Sequence, residues 1–282
     1  MKSFFDIRTV KCSNKLLLLI NSNCRLKITF LGTGTSQGVP VIACDCEVCS
    51  SKNPLDKRLR SSIMLQIDGK TLIVDTGPDF RQQMLYNQVQ HLDAILITHG
   101  HKDHIGGLDD IRAFNYVQKA PIDVHAAKEV HDDIKRDFYY AFAENKYPGV
   151  PEIKLHTIYG VPFDVCGIHV IPIEVQHHKL KVFGFRIGNV AYITDTSYIP
   201  PESLLQLEGL DVLVINALRI KPHISHFNLS EALQIIEILQ PKNAYLTHIS
   251  HKLGLHSEVA NSLPPNVYLA YDGLVLENSL IR

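Results

Sequence analysis

Thr98-His99-Gly100-His101-Lys102-Asp103-His104 is the stretch on which the reading of this chain turns. It follows an apolar run, Ala94-Ile95-Leu96-Ile97, that reads as a buried strand. Gly106-Gly107 comes next, then a helix-like segment from Leu108 to Val117. Histidine and aspartate side chains therefore crowd the point where a strand gives way to a helix. In extended backbone His99 and His101 point to the same side. After the turn, Asp103 and His104 can point back at a second, neighbouring spot. Imidazole and carboxylate are the ligands favoured by zinc and similar divalent ions. Two ligand pairs on one loop suggest two adjacent ions, the arrangement used for in-line displacement at phosphorus or acyl carbon.

The rest of the composition is ordinary. The 282 residues allow one large domain or two small ones, with 45% apolar and 20% charged residues. A formal charge of -1 provides no bulk field to attract nucleic acid or an anionic membrane. Histidine is the outlier, with 15 copies. Of six cysteines, Cys44, Cys46 and Cys49 lie too close together to pair readily with one another, which favours metal binding and a reducing, cytoplasmic setting. No run approaches the ~20 apolar residues of a membrane span. Residues 1–25 carry Lys2, Arg8, Lys11 and Lys15 ahead of a short apolar run, but lack the h-region and cleavage site of a signal peptide. They read as an extension before a domain of residues 26–282.

Taken in order, Leu26 to Phe30 alternates like a strand and runs into a glycine-rich turn at residues 31–38, which either cradles a phosphate or simply turns tightly. Ser62–Ile67 and Thr71–Val74 form a hairpin about Asp68-Gly69. Asp75, at the end of the second strand, is placed either to fix a histidine tautomer or to cap the following turn. Phe80–Tyr86 and Lys128–Ala143 read as helices, and Pro121–His125 as a strand. His125 and His131 read as surface or packing residues. Further strands end at His177-His178, at Asp195 and at His248-Ile249-Ser250-His251. Asn228 caps a helix through Leu239, with Glu231 completing a capping box, and His226 lies just before it in a loop free to move. Asp272-Gly273 reads as a hairpin turn. Strands ending in ligand-type residues, in two halves with helices, fit two sheets packed face to face with helices outside.

Thr-His-x-His-x-Asp-His resembles the signature of the metallo-β-lactamase fold hydrolases, a four-layer αβ/βα sandwich. The resemblance spans nearly all of residues 26–282. It is closer to the phosphoribosyl cyclic phosphodiesterases of bacterial phosphonate breakdown. The shared stretches are Leu31-Gly32-Thr33-Gly34 with Gln37-Gly38-Val39-Pro40, the three cysteines, His177 with Lys179-Leu180, Asp195-Thr196, Leu246-Thr247-His248-Ile249-Ser250-His251 and Asp272-Gly273. The resemblance implies two active-site divalent ions, zinc or manganese. One is held by His99, His101 and His177, the other by Asp103, His104 and His248, with Asp195 bridging. It implies that His251 completes a structural zinc with Cys44, Cys46 and Cys49, that His226 is the catalytic acid, and that the protein is a homodimer. Asn216-Ala217-Leu218 stands where the family has a longer loop, and the N-terminal extension is not a family feature.

The expected activity is hydrolysis of a small cyclic phosphate, with a water activated between the two ions and His226 protonating the leaving group. A transfer-RNA 3′ endonuclease of the same fold would carry a basic, glycine-rich arm, and none is present. Lactone or thioester hydrolysis is chemically open to the same ion pair. A non-enzymatic metal-dependent binding module would need neither a proton donor at position 226 nor an open coordination position.

Overall fold

A computed structural model describes residues 25–279. The extension expected over residues 1–25 lies outside them except for Arg25, which opens the first strand. Two seven-stranded sheets form the centre of the molecule. The first contains β1 (Arg25–Gly32), β2 (Ser62–Ile67), β3 (Lys70–Val74), β4 (Ala94–Leu96), β5 (Ile122–Ala126) and β6 (Ile153–Thr157). The second contains β7 (Phe163–Val165), β8 (Ile168–His177), β9 (Leu180–Ile187), β10 (Val190–Ile193), β11 (Val212–Asn216), β12 (Asn243–Thr247) and β13 (Val267–Leu269). The last strand, β14 (Val275–Ser279), returns to the first sheet, whose order is β14-β1-β2-β3-β4-β5-β6, against β13-β12-β11-β10-β9-β8-β7 in the other.

The central strands are apolar on both faces because both faces are covered. In β3, Leu72 and Val74 enter the core between the sheets, while Ile73 packs against the helices outside. In β10, Val190 and Tyr192 face the other sheet, and Ala191 and Ile193 face the outer helices of the second half. Period-two alternation between two buried environments yields a continuous apolar run. Helices Phe80–Tyr86, Arg112–Gln118 and Lys128–Asp137 cover one side, and Leu229–Leu239 covers the other. This is the four-layer αβ/βα sandwich.

Several local signals act as expected. Asp68 (φ 49°) and Gly69 (φ 77°) take the paired left-handed conformation of a two-residue hairpin turn. The Asn228–Glu231 capping box forms with both of its hydrogen bonds. The helix read as Lys128–Ala143 is broken at Phe138 (φ -116°), whose ring is buried in the outer core, so that Lys128–Asp137 and Tyr139–Phe142 are separate. The segment Leu108–Val117 starts as a 3₁₀ turn, Leu108–Ile111, before the α-helix Arg112–Gln118.

Two readings are corrected. Asp272-Gly273 is not a hairpin, because β13 and β14 belong to different sheets and the turn carries the chain between them. The Asp272 carboxylate accepts hydrogen bonds from the Leu59 amide (2.6 Å) and the Thr33 hydroxyl (2.7 Å), tying three distant segments together. The glycine-rich turn is no phosphate cradle. Its Gly34, Thr35 and Gly38 amides already donate to the carbonyls of Leu59, Ile249 and Thr35.

The loops that follow β3 and β4 close on each other without side chains between them. The Thr76 amide donates to the His104 carbonyl, and a β-carbon on Gly77 would lie 2.1 Å from the Asp103 carbonyl oxygen. Gly77→Ala is therefore expected to force these loops apart, at about 1–3 kcal/mol of stability. Thermal unfolding of the variant against the parent measures this.

Candidate metal centre

Every residue singled out for metal binding in the histidine and aspartate set lies at the C-terminal end of a strand, and the packing of the two sheets brings those ends together. The loop after β4 supplies His99, His101, Asp103 and His104. Strand β8 ends in His177, Asp195 follows β10, and His248 follows β12. Asp75 (φ 64°), Asp195 (φ 52°) and His248 (φ 54°) adopt left-handed backbone, which costs a non-glycine residue of order 1 kcal/mol each and persists where surrounding structure enforces it.

Asp75 organises the centre from beneath. It has no exposed surface. Its carboxylate accepts from the Thr98 amide (2.8 Å), the Thr98 hydroxyl (2.9 Å) and His104 Nδ1 (2.7 Å). Thr98 Oγ1 in turn accepts from His99 Nδ1 at 3.0 Å. Both histidines are thereby held with protonated Nδ1 and a bare Nε2 directed into the centre. On the opposite side, His177 Nδ1 donates to the Ser225 carbonyl at 2.7 Å, which fixes the same tautomer.

The ligand-type atoms converge in two clusters. His99 Nε2 lies 3.0 Å from His101 Nδ1, and both rings pack against His177, with centroids 5.6 and 5.1 Å away. His104 Nε2 lies 3.2 Å from Asp103 Oδ2 and 3.0 Å from Asp195 Oδ2, while His248 Nδ1 lies 3.2 Å from the same Asp195 oxygen. Donors around one tetrahedral zinc are about 3.3 Å apart, from metal–ligand distances near 2 Å. His104 Nε2 and both ring nitrogens of His248 are buried with no hydrogen-bond partner among the described residues. Buried polar atoms are rarely left so. Buried nitrogens without partners, at this spacing and beside carboxylates, fit a pair of divalent cations.

Electrostatics agree. Burial opposes the charge on Asp195, but His248 and His104 outweigh it and hold the carboxyl well below its usual range. Burial likewise works against a charged His104, yet Asp195, Asp75 and Asp103 together push its affinity for a proton well up. The centre attracts positive charge. His99, by contrast, is held neutral, mainly by burial and then by His104.

His226 reaches the same place from the loop between β11 and helix Leu229–Leu239. Its Nδ1 is 3.4 Å from Asp195 Oδ1, and its ring lies between those of His177 (4.5 Å) and His248 (4.8 Å). Together with His177 and Asp195 it forms a third group of possible ligands. The loop is not free to move: the Phe227 amide donates to Thr196 O, and the Leu218 amide to Phe227 O. Burial, then the nearby His248, lowers His226 to about 3.

The three cysteines lie against His251. Its Nδ1 is 3.3, 3.3 and 3.4 Å from the sulfurs of Cys44, Cys46 and Cys49. A tetrahedral zinc with sulfur and nitrogen ligands sets such pairs about 3.5 Å apart. The Cys49 amide helps to lower the Cys46 thiol to about 6, whereas burial pushes Cys49 up to about 11. His125 and His131 stay outside both centres. His125 stacks on His156, and His131 Nε2 donates to the His156 carbonyl. Sequence reasoning missed Thr98, Ser225 and His223. Only the last carried a signal, as the first member of His223-Ile224-Ser225-His226.

The profile of the beta-lactamase superfamily domain matches residues 70–249. The chain belongs to this superfamily. It is 43% identical to a crystallised diphosphatase of the PhnP family, with a TM-score of 0.86 over 91% of this chain and 98% of that one. It is 39% identical over 252 residues to a Porphyromonas gingivalis protein named octanoyltransferase, matching 88% of this chain but only 51% of that protein. Zinc-bound PqqB from Methylobacterium extorquens shares the fold at 18% identity, with a TM-score of 0.75 over 89% of this chain and 99% of that one. The chain has the metallo-β-lactamase fold, and its clustered histidines and aspartates are a donor set suited to divalent metals. Among the described residues no helix is long and apolar enough to cross a membrane.

Two outcomes test the geometry. Asp75→Asn removes the charge that holds His104 and, through Thr98, His99, and is expected to weaken active-site metal binding about 10–100-fold. Titration with a chelator, followed by elemental analysis, reads this directly. Cys46→Ala is expected to lose one metal equivalent and lower the melting temperature while sparing the histidine and aspartate clusters. Metal content and calorimetry on the same sample check both.

Proposed function

We propose that the protein hydrolyses a small cyclic phosphate ester of the phosphoribosyl 1,2-cyclic phosphate type, with His226 as the proton donor. His99, His101 and His177 would hold one divalent ion, and Asp103, His104 and His248 the other, with Asp195 between them. Cys44, Cys46, Cys49 and His251 would hold a structural zinc. When bound, an ion pair of this kind supplies a nucleophile at neutral pH and positive charge for the phosphoryl oxygens.

The observation that carries the reading is the position of His226. Neither ligand cluster needs it, yet its loop is tied down so that Nδ1 faces Asp195 at 3.4 Å. That leaves Nε2 for the leaving oxygen. In its buried setting the ring is neutral at physiological pH. Negative charge on a phosphoryl group beside it raises its affinity for a proton, so the acid is formed with substrate in place.

A small substrate suits the surroundings. A cleft of about 600 Å³ opens beside His99 and His101 and runs past Lys128, Tyr159 and Lys181, a volume in the usual range for small-molecule sites. Its two lysines offer charge to an anionic body. A second reading, cleavage of a diphosphate linkage in a small molecule, is favoured by the 43%-identical diphosphatase. Both reactions displace oxygen from a phosphoryl group flanked by two ester or anhydride oxygens.

The test is a substrate panel with His226→Ala. Ribose cyclic phosphates, 2′,3′-cyclic nucleotides, nucleoside diphosphates, bis(p-nitrophenyl) phosphate, a lactone and a precursor transfer RNA are compared on metal-loaded enzyme. Preference for the lactone or the transfer RNA defeats the proposal, and preference for the diphosphates selects the second reading. His226→Ala is expected to slow alkoxide-leaving substrates about 10²–10⁴-fold, while bis(p-nitrophenyl) phosphate falls much less because nitrophenolate departs without a proton. Loss of metal in the variant would make His226 a ligand instead.

A further inference from the structure

His223 has no part in either ligand cluster, yet its ring lies beside that of His226. Its ring centroid is 5.2 Å from that of His226, and it is half-buried. Its tautomer is fixed by its own loop. The Ser225 amide donates to His223 Nδ1 at 3.3 Å, and the Ser225 hydroxyl lies 3.2 Å from the same atom. A nitrogen that accepts from a backbone N–H carries no proton, so the neutral ring bears its proton on Nε2. That N–H makes no hydrogen bond among the described residues. Nδ1 is turned onto Ser225 of the same loop, which leaves the Nε2 edge of a half-exposed ring open to a ligand.

The peptide that sets this tautomer also serves the metal cluster. Ser225 donates its amide to His223 and accepts from His177 Nδ1 through its carbonyl (2.7 Å). One residue therefore fixes the N–H of His223 relative to a ligand histidine. A donor fixed before substrate arrives, next to the proton donor and uncommitted to any protein acceptor, is what a non-bridging phosphoryl oxygen requires in the transition state.

We infer that His223 is a second catalytic histidine, whose Nε2–H donates a hydrogen bond to a non-bridging oxygen of the substrate's phosphoryl group. It transfers no proton, and so differs in kind from His226. The inference rests on the phosphoryl-transfer reading given above.

Two near-isosteric variants separate the ends of the ring. His223→Asn keeps an acceptor near the Nδ1 position and loses the Nε2 donor, whereas His223→Gln places an amide donor near the Nε2 position and loses the acceptor. On metal-loaded enzyme, His223→Asn is expected to lower kcat about 10²-fold, the effect of removing one oxyanion donor. The loss should be similar on the preferred substrate and on bis(p-nitrophenyl) phosphate, because both develop charge on non-bridging oxygens, and metal content and melting should hold. His223→Gln should recover most of the loss. A His223→Asn enzyme with parental kcat overturns the inference. So does a His223→Gln enzyme as impaired as His223→Asn or more so, because a donor near the Nε2 position would then restore nothing. If the parent enzyme cleaves no phosphorus substrate in the panel, the phosphoryl reading itself fails and the inference falls with it.

Discussion

A carboxylate sealed from water beneath the metal loop is the constraint on which the centre depends. Removing such a group from solvent costs several kcal/mol and is tolerated only when its oxygens are satisfied. Asp75 meets that condition with the Thr98 amide, the Thr98 hydroxyl and His104 Nδ1. Burial still pushes its carboxyl up, against the pull of His104. The arrangement is stable because the His104 Nδ1–H satisfies the carboxylate, while the far nitrogen of the same ring is left to face the cluster of Asp103 and Asp195. Through Thr98 the same carboxylate sets His99. A single buried charge thus orients one histidine of each cluster.

The cysteine centre works at a longer range. The Gly34 and Thr35 amides and the Arg58 guanidinium already bind the N-terminal loops to the rest of the chain. The three thiols add a tie to His251, which lies three residues beyond His248. Between the two histidines, the Ile249 amide donates to the Thr33 carbonyl, and Ser250 bonds to the Leu218 carbonyl. The loop after β12 thus carries a candidate ligand at each end and is held in its middle by hydrogen bonds.

Much of the centre was legible because its ligands follow strands, and strands declare themselves by alternation. The motif at 98–104, Asp195 and His248 each stand directly after an apolar run, and even the tautomer-fixing role of Asp75 followed from that placement. What the chain order hid was pairing across distance. Thr98 matters only because Asp75, 23 residues earlier, lies beneath it, and Ser225 meets His177 across 48 residues. Asp272-Gly273 has the local chemistry of a hairpin, but its neighbours joined opposite sheets, a choice made by the core and not by the turn. The helix break at Phe138 has the same origin, since burial of that ring overrode the continuity of the apolar face. The glycines at 32–38 signalled close backbone approach correctly, and the approaching partner was protein rather than phosphate.

The two sheets also share one sequence of pairings. Read outward from β14 or from β7, each has three antiparallel contacts followed by three parallel ones. In that correspondence β3 matches β10, so Asp75 and Asp195 occupy equivalent places, each just past its strand and each with left-handed backbone. The halves put the same position to opposite uses. Asp75 turns inward to supply orientation, and Asp195 turns to the shared centre to supply charge. The molecule thus divides the labour between two copies of one topology, and the candidate ligands from both halves meet at the seam between them.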